Sequence, residues 1–169
     1  MDKIDVIIIG AGIAGITTAY YLQKNFPNIT YKIMESRSDL GGTWDQMKFP
    51  GVRADNDMYT YGFSFNPWQG SIIGKGQEIK RYINDTAEKF NIKEHILLDT
   101  QVTALLWKNN QWTTKTNHKN FTSQYVICST GSRDRKNPHL PKFKNENKYQ
   151  GKIVHTQAWG NTDYKDKNV

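Results

Sequence analysis

The sequence contains a single cysteine, Cys128. One thiol cannot close an internal disulfide, which excludes a stapled secreted scaffold and points to a reducing compartment, the cytoplasm. Cys128 ends the apolar run Tyr125-Val126-Ile127, so it is expected to be a buried structural thiol and not a reactive one. Long hydrophobic runs are missing too. The nearest is Ile4 to Leu22, which Gly10, Gly12 and Gly15 interrupt. It lacks the cationic start and cleavage site of a signal peptide, so it reads as a buried strand and helix, with no membrane partner expected. Blocks of like charge are absent as well. Lys and Arg number 23 against 16 Asp and Glu, a net charge of +7, but the lysines are scattered. The stretch 133–169 mixes them with Asp134, Glu146, Asp163 and Asp166. This pattern reads as a solvated surface with some attraction for an anionic cofactor, and no nucleic-acid partner is expected. No internal repeat stands out, and no metal site is expected.

What is present suits one globular core: 169 residues, 37% apolar and 12% aromatic. Ile4 to Ile9 is a β-branched run broken only by Asp5, the mark of a central parallel strand buried on both faces. Ile13 to Lys24 reads as a helix that Pro27 terminates. Tyr31 to Glu35 reads as a second strand. Ile79, Tyr82, Ile83, Ala87 and Phe90 recur at helical spacing within Gln77 to Phe90. Ile96 to Leu98, Gln101 to Trp107 and Gln111 to Thr116 read as short strands, the last two joined by a hairpin at Asn109-Asn110. Phe121 to Ser129 reads as another buried strand. The expected fold is α/β: a Rossmann-like domain with a parallel sheet and a small β-hairpin or meander insertion.

The strongest local pattern is Gly10-Ala11-Gly12-Ile13-Ala14-Gly15, which follows an expected strand and opens an expected helix. Gly10 permits a tight turn, Gly12 lets the backbone approach a pyrophosphate, and Gly15 allows close helix packing. The helix N-terminus then offers free N–H groups and partial positive charge to the phosphates. Glu35 stands twenty residues past Gly15 at the end of the second strand. A carboxylate there accepts hydrogen bonds from an adenosine ribose and disfavours a 2′-phosphate, although the nearby Arg37 works the other way.

The distinction between FAD and NAD rests on a resemblance. Leu40-Gly41-Gly42-Thr43-Trp44, followed by Pro50-Gly51-Val52-Arg53-Ala54-Asp55, resembles the segment after the second strand in flavin-dependent monooxygenases, above all the Baeyer–Villiger type. The resemblance implies FAD as cofactor, with Thr43 and Trp44 lining the flavin site beside Gly42, and Arg53 and Asp55 near the ring. It further implies a cofactor contact at Tyr61 and a backbone contact to adenine at Val102. Ser129-Thr130-Gly131 with Pro138 and Pro141 resembles the family's strand-end turn, which brings in Thr130 and Gly131. Tyr149 to Gly160, containing Gly151, His155 and Trp159, resembles the Baeyer–Villiger fingerprint. It departs from that fingerprint at Tyr149, where Phe is usual, and at Gly160, where Pro or Asp is usual. In the family this stretch links the FAD and NADPH domains, and its His supports motion between them.

The resemblance implies residues 1–132 as the FAD-binding part and residues 133–169 as a linker toward an NADPH-binding domain. No second glycine fingerprint occurs in the sequence, and the arginine that the family uses to stabilise the peroxyflavin is missing too. The chain is therefore expected to be incomplete relative to the two-domain fold and inactive, or dependent on further parts. The implied full chemistry uses NADPH and O2 to insert one oxygen atom into a small organic substrate, a ketone or heteroatom compound. Two other readings stand beside it: a non-catalytic nucleotide-binding module or truncated product, and a flavin amine oxidase or reductase. An unpaired sheet edge is expected to favour a partner chain or self-association.

Overall fold

A computed structural model describes residues 2–132, 138–160 and 164–166. At its centre lies β1 (Asp2–Ile9), whose β-branched residues alternate between two apolar layers. Val6 and Ile8 enter the main core, while Ile4 and Ile7 enter a second cluster with Met34 and Phe121. Two buried faces explain why Val6 to Ile9 is apolar throughout and does not alternate with polar residues.

β1 pairs in parallel with β2 (Tyr31–Met34) on one side and β6 (Asn120–Cys128) on the other, with Ile8 opposite both Ile33 and Ile127. The sheet order is β3-β2-β1-β6-β5-β4. The short β3 (Ile96–Leu97) continues the parallel part, whereas β4 (Val102–Lys108) and β5 (Gln111–Thr116) add an antiparallel meander beside β6. Asn109 and Asn110 both hold positive φ, 53° and 58°. This is the conformation of a tight two-residue hairpin, and asparagine tolerates it well.

Helices α1 (Ile13–Asn25) and α4 (Gly76–Lys89) supply apolar residues to the main core. On α4, Ile79, Ile83 and Ala87 recur four residues apart and are fully buried. Burying each isoleucine contributes roughly 2–3 kcal/mol. Two further helices, α2 (Thr43–Gln46) and α3 (Met58–Tyr61), are single turns that periodicity could not reveal. Asp57 caps α3 by accepting the Thr60 N–H at 2.9 Å. Tyr82 holds the following loop: its hydroxyl accepts the Phe63 N–H at 2.7 Å and donates to the Asn66 carbonyl at 2.6 Å.

The expected strands and long helices are present with ends shifted by one or two residues, but one expectation fails. Cys128 is exposed, not buried. β6 pairs with β1 from Phe121 to Cys128, yet β5 pairs only with its first part, from Asn120 to Ser123. Phe121 and Ser123 are therefore enclosed, while Tyr125 is 60% exposed and Cys128 lies open. Leu106 and Trp107 on β4 are also about half exposed. The expected boundary after residue 132 meets the segment 133–137, which lies outside the described residues.

His95 stacks on the buried Tyr31 with ring centroids 4.4 Å apart. Burial, with the Lys32 charge, holds the His95 imidazole below its ordinary pKa despite the opposing charge of Glu94. The fold favours neutral His95, so the unfolded chain takes up that proton first as pH falls. This contribution is complete above the usual histidine range and is lost below it. Urea midpoints should therefore drop more between pH 8 and pH 5.5 in the wild type than in His95→Gln. Equal drops would show that His95 carries no such linkage.

Candidate dinucleotide-binding site

Three loops leave the carboxyl ends of the adjacent parallel strands β1, β2 and β6, and they meet at one end of the sheet. Loops at that end are where open α/β sheets bind ligands. The first is the glycine turn. Gly10 has φ +105°, its N–H donates to the Met34 carbonyl at 2.8 Å, and an added Cβ would lie 2.5 Å from the Ser129 carbonyl oxygen. A Cβ on Gly15 would lie 2.0 Å from the Gly10 carbonyl oxygen. Gly12 differs: its nearest neighbour would be the Gly42 Cα at 3.5 Å. Two glycines therefore permit the turn and the helix packing, and the third keeps an approach clear. Gly12 also caps α1 with no side-chain hydrogen bond, so the first N–H groups of that helix remain available to an anion. Ala14 lies exposed in this first turn.

The second loop follows β2. Glu35 is only 1% exposed, and its Oε2 accepts the Ala11 N–H at 2.9 Å. Oε1 accepts the Arg37 N–H at 3.1 Å. The carboxylate expected to meet a ribose thus also braces the glycine turn. Next comes a short ionic chain. The Arg37 guanidinium pairs with the Asp45 carboxylate and donates to its carbonyl at 3.1 Å. Lys80 on α4 bridges Asp45 at 2.8 Å and Asp39 at 2.7 Å. Its bonds to Asp39 and Asp45 raise the Lys80 pKa. Burial works to raise the Asp39 pKa, but the Lys80 bond and the Leu40 N–H outweigh it and hold the carboxyl below its usual range. Arg37 is therefore committed to Asp45, and its pull toward a 2′-phosphate is correspondingly reduced.

Two cavities border these loops. One of about 580 Å³ is lined by Ser36, Arg37, Gln46, Gln101, Thr156 and Trp159, among others. The other, of about 450 Å³, is lined by Thr43, Trp44, Arg53, Asp55, Tyr61 and Thr130, together with Gly131 and others. Gln46 and Thr156 border both, which makes them two ends of one trough. Trp44 donates its indole N–H to the Tyr61 hydroxyl at 3.1 Å, fixing one wall of the second cavity. Gly42 caps α2 with φ 58° and places Thr43 and Trp44 at the cavity.

Of the expected residues, Thr43, Trp44, Arg53, Asp55, Tyr61 and the Thr130-Gly131 turn line the second cavity, while the glycine turn, Glu35 and Gly42 line neither. The Val102 side chain packs on the second core cluster, and its neighbour Gln101 lines the first cavity. His155 lines neither cavity. Its Nδ1 accepts the Gln157 N–H at 3.1 Å and caps the turn Thr156–Ala158. Gln46 and Thr156 carry no motif that would single them out in the sequence. The Arg37 Nε is buried and has no hydrogen-bond partner, and a ligand acceptor in the first cavity would satisfy it. With the clear approach at Gly12, the residues present fit an adenine dinucleotide. Among the described residues no cluster suits a metal ion, and no helix is long and apolar enough to cross a membrane.

Comparison with known proteins agrees with this geometry. Residues 8–72 match the family of NAD(P)-binding Rossmann-like domains. The FAD-containing monooxygenase EthA of Mycolicibacterium smegmatis is 36% identical over 176 residues, an alignment that covers 99% of this chain and 36% of EthA. An oxidized steroid monooxygenase structure bound to NADP superposes with a TM-score of 0.78 at 28% identity, over 93% of this chain and 31% of that one. The structure of OTEMO in complex with FAD and NADP gives 0.77 at 28% identity, over 94% and 31%. The chain spans about a third of the length of these proteins. Along nearly all of its length the chain is similar in sequence to FAD-containing monooxygenases, and its fold is the Rossmann-like fold of their solved neighbours.

Proposed function

We propose that the chain holds FAD for an NADPH-dependent monooxygenase of the Baeyer–Villiger type. The carrying observation is that the glycine turn is braced by Glu35, while the segments just after Glu35 and after β6 line two neighbouring cavities. Gly12 and the start of α1 receive the pyrophosphate. The cavity at Ser36, Arg37 and Gln101 takes the adenosine end, where Glu35 accepts from a ribose hydroxyl and the Arg37 Nε gains its acceptor. Trp44 and Tyr61 form a locked aromatic wall against the flat ring and keep water from one side of it. Asp55 and Arg53 bring opposite charges to that cavity, where they orient polar groups at the ring edge.

Bound FAD supplies the redox and oxygen chemistry, with NADPH as reductant and O2 as the source of the inserted oxygen atom. The organic substrate, the division into residues 1–132 and 133–169, and a cytoplasmic setting belong to this same reading. The half-exposed Leu106, Trp107 and Tyr125 support the expectation of a partner chain or self-association.

Titration with FAD, followed by flavin fluorescence, tests the central claim. Saturable quenching is expected, and Trp44→Ala should weaken binding about tenfold through the lost ring contact. Absence of any saturable change at high protein concentration would overturn it. Consumption of NADPH with oxygen uptake by the chain alone would overturn dependence on further parts.

A further inference from the structure

On the other side of residues 48–53 lies a cavity of about 690 Å³ with a different character. Phe49, Val52 and Arg53 also line the trough at its Trp44 end, and Lys48 lines it at its Ser36 end. Four cationic side chains border it, Lys48, Arg53, Lys75 and Arg81, against one carboxylate, Glu78. Glu78 is already engaged, because its Oε2 accepts the Lys75 N–H at 3.0 Å. Among the described residues, no ion pair within 4.0 Å joins any of the four cations to an acid.

The backbone sets two of these cations against each other. Arg53 and Lys75 form an antiparallel bridge. It is flanked by the Ala54 N–H donating to the Gly74 carbonyl and the Gly76 N–H donating to the Val52 carbonyl, each at 2.9 Å. That bonding pattern makes Arg53 and Lys75 a non-hydrogen-bonded pair, the arrangement in which opposed side chains come closest. Like charges directly opposite in such a pair are destabilising. The register is also tightly held, since a Cβ on Gly76 would lie 2.7 Å from the Val52 side chain. The fold thus keeps two unpaired cations adjacent on the wall of a cavity that two more cations border.

We infer that this cavity is a second binding site, for a small molecule bearing phosphate groups, held by Lys75, Arg81, Arg53 and Lys48. A ligand with two or more negative charges would turn the repulsion between Arg53 and Lys75 into shared attraction. A partly enclosed site of one sign concentrates such anions. Planar guanidinium forks at Arg53 and Arg81 suit phosphate oxygens.

Inorganic pyrophosphate is the probe. Calorimetric titration of the whole chain should show saturable binding that weakens with added salt. Lys75→Gln and Arg81→Gln should each weaken it about tenfold, the loss of one charge-assisted contact. Without ligand, Lys75→Gln should melt no lower than the wild type, because it removes a like-charge opposition. In Gly12→Ala, where the approach to the trough is blocked, saturable pyrophosphate binding should persist and Lys75→Gln should still weaken it about tenfold, which separates this cavity from the dinucleotide trough whether or not FAD binds there. Wild-type affinity in both the Lys75 and Arg81 variants would overturn the inference. So would loss of pyrophosphate binding in Gly12→Ala, since the probe would then occupy the trough.

Discussion

Gly15→Ala is expected to leave the chain largely unfolded, whereas Gly12→Ala is expected to leave it folded and unable to hold FAD. The two changes add the same methyl group three residues apart, so only the surroundings distinguish them. At Gly15 the new carbon would lie 2.0 Å from the Gly10 carbonyl oxygen and 3.1 Å from its carbon. Both are backbone atoms of the turn, and that turn is tied to Met34 and Glu35 through the N–H groups of Gly10 and Ala11. Relief requires α1 to move off the sheet, which opens the core around Ile16 and Ala19. A cost of about 4 kcal/mol or more is expected, from backbone overlap in a close-packed interior. That is a large share of the 5–15 kcal/mol that typically holds a domain together. At Gly12, φ is −85° and the nearest atom is 3.5 Å away. Alanine fits there without strain, but its methyl group occupies the space through which the pyrophosphate would approach. Thermal melts by circular dichroism, paired with FAD titration, separate the two outcomes. A stable Gly15→Ala chain would contradict the packing argument, and undiminished FAD affinity in Gly12→Ala would contradict the ligand role.

Asp45→Ala carries the second largest effect. Asp45 is buried, and its carboxylate neutralises two cations whose side chains are about three-quarters buried, Arg37 and Lys80. Removing it leaves both charges in a low-dielectric setting with one remaining acid, Asp39, which is more exposed. Breaking a fully buried pair costs about 3–5 kcal/mol. Partial solvent access at Arg37 and Lys80 lowers the expectation here to roughly 2 kcal/mol. The loss should appear as a lower urea midpoint with an unchanged slope. Adding Lys80→Met to Asp45→Ala should recover part of it, because one orphaned charge is gone. No recovery would mean that Asp45 acts by packing alone. The same chain of ions predicts acid sensitivity. Asp39 is held below the usual carboxylate range, so its contribution is complete above that range and disappears as pH falls through its lowered value.

The ionic chain also shows why parts of the site were hidden in the sequence. Arg37 stands two residues past Glu35, where local reading can only weigh it as a cation near a ribose. Its partner Asp45 lies eight residues on and Lys80 much farther, and only folding brings them together. Gln46 and Thr156, which join the two cavities, come from α2 and from the capped turn after His155. Neither belongs to a spacing that chemistry demands, so no pattern marks them. Cys128 failed for a related reason. Its apolar neighbours suggested burial, but exposure depends on which strand lies alongside, and β5 stops pairing at Ser123.

The elements whose formation depends on near neighbours were legible from the start. The β-branched run of β1, the repeat on α4 and the paired asparagines of the hairpin each follow from side-chain geometry within a few residues. The glycine turn was legible too, because a tight turn, a close helix and a clear approach each require a missing side chain at a set spacing. The tertiary structure decided how the work divides among those glycines, since only the distances to Ser129, Gly10 and Gly42 separate fold from ligand. It also decided that Arg37 answers to Asp45, that Cys128 faces solvent, and that Arg53 meets Lys75 across a bridge. Each of these depends on contacts between residues remote in the chain, and a one-dimensional pattern carries no distance between them.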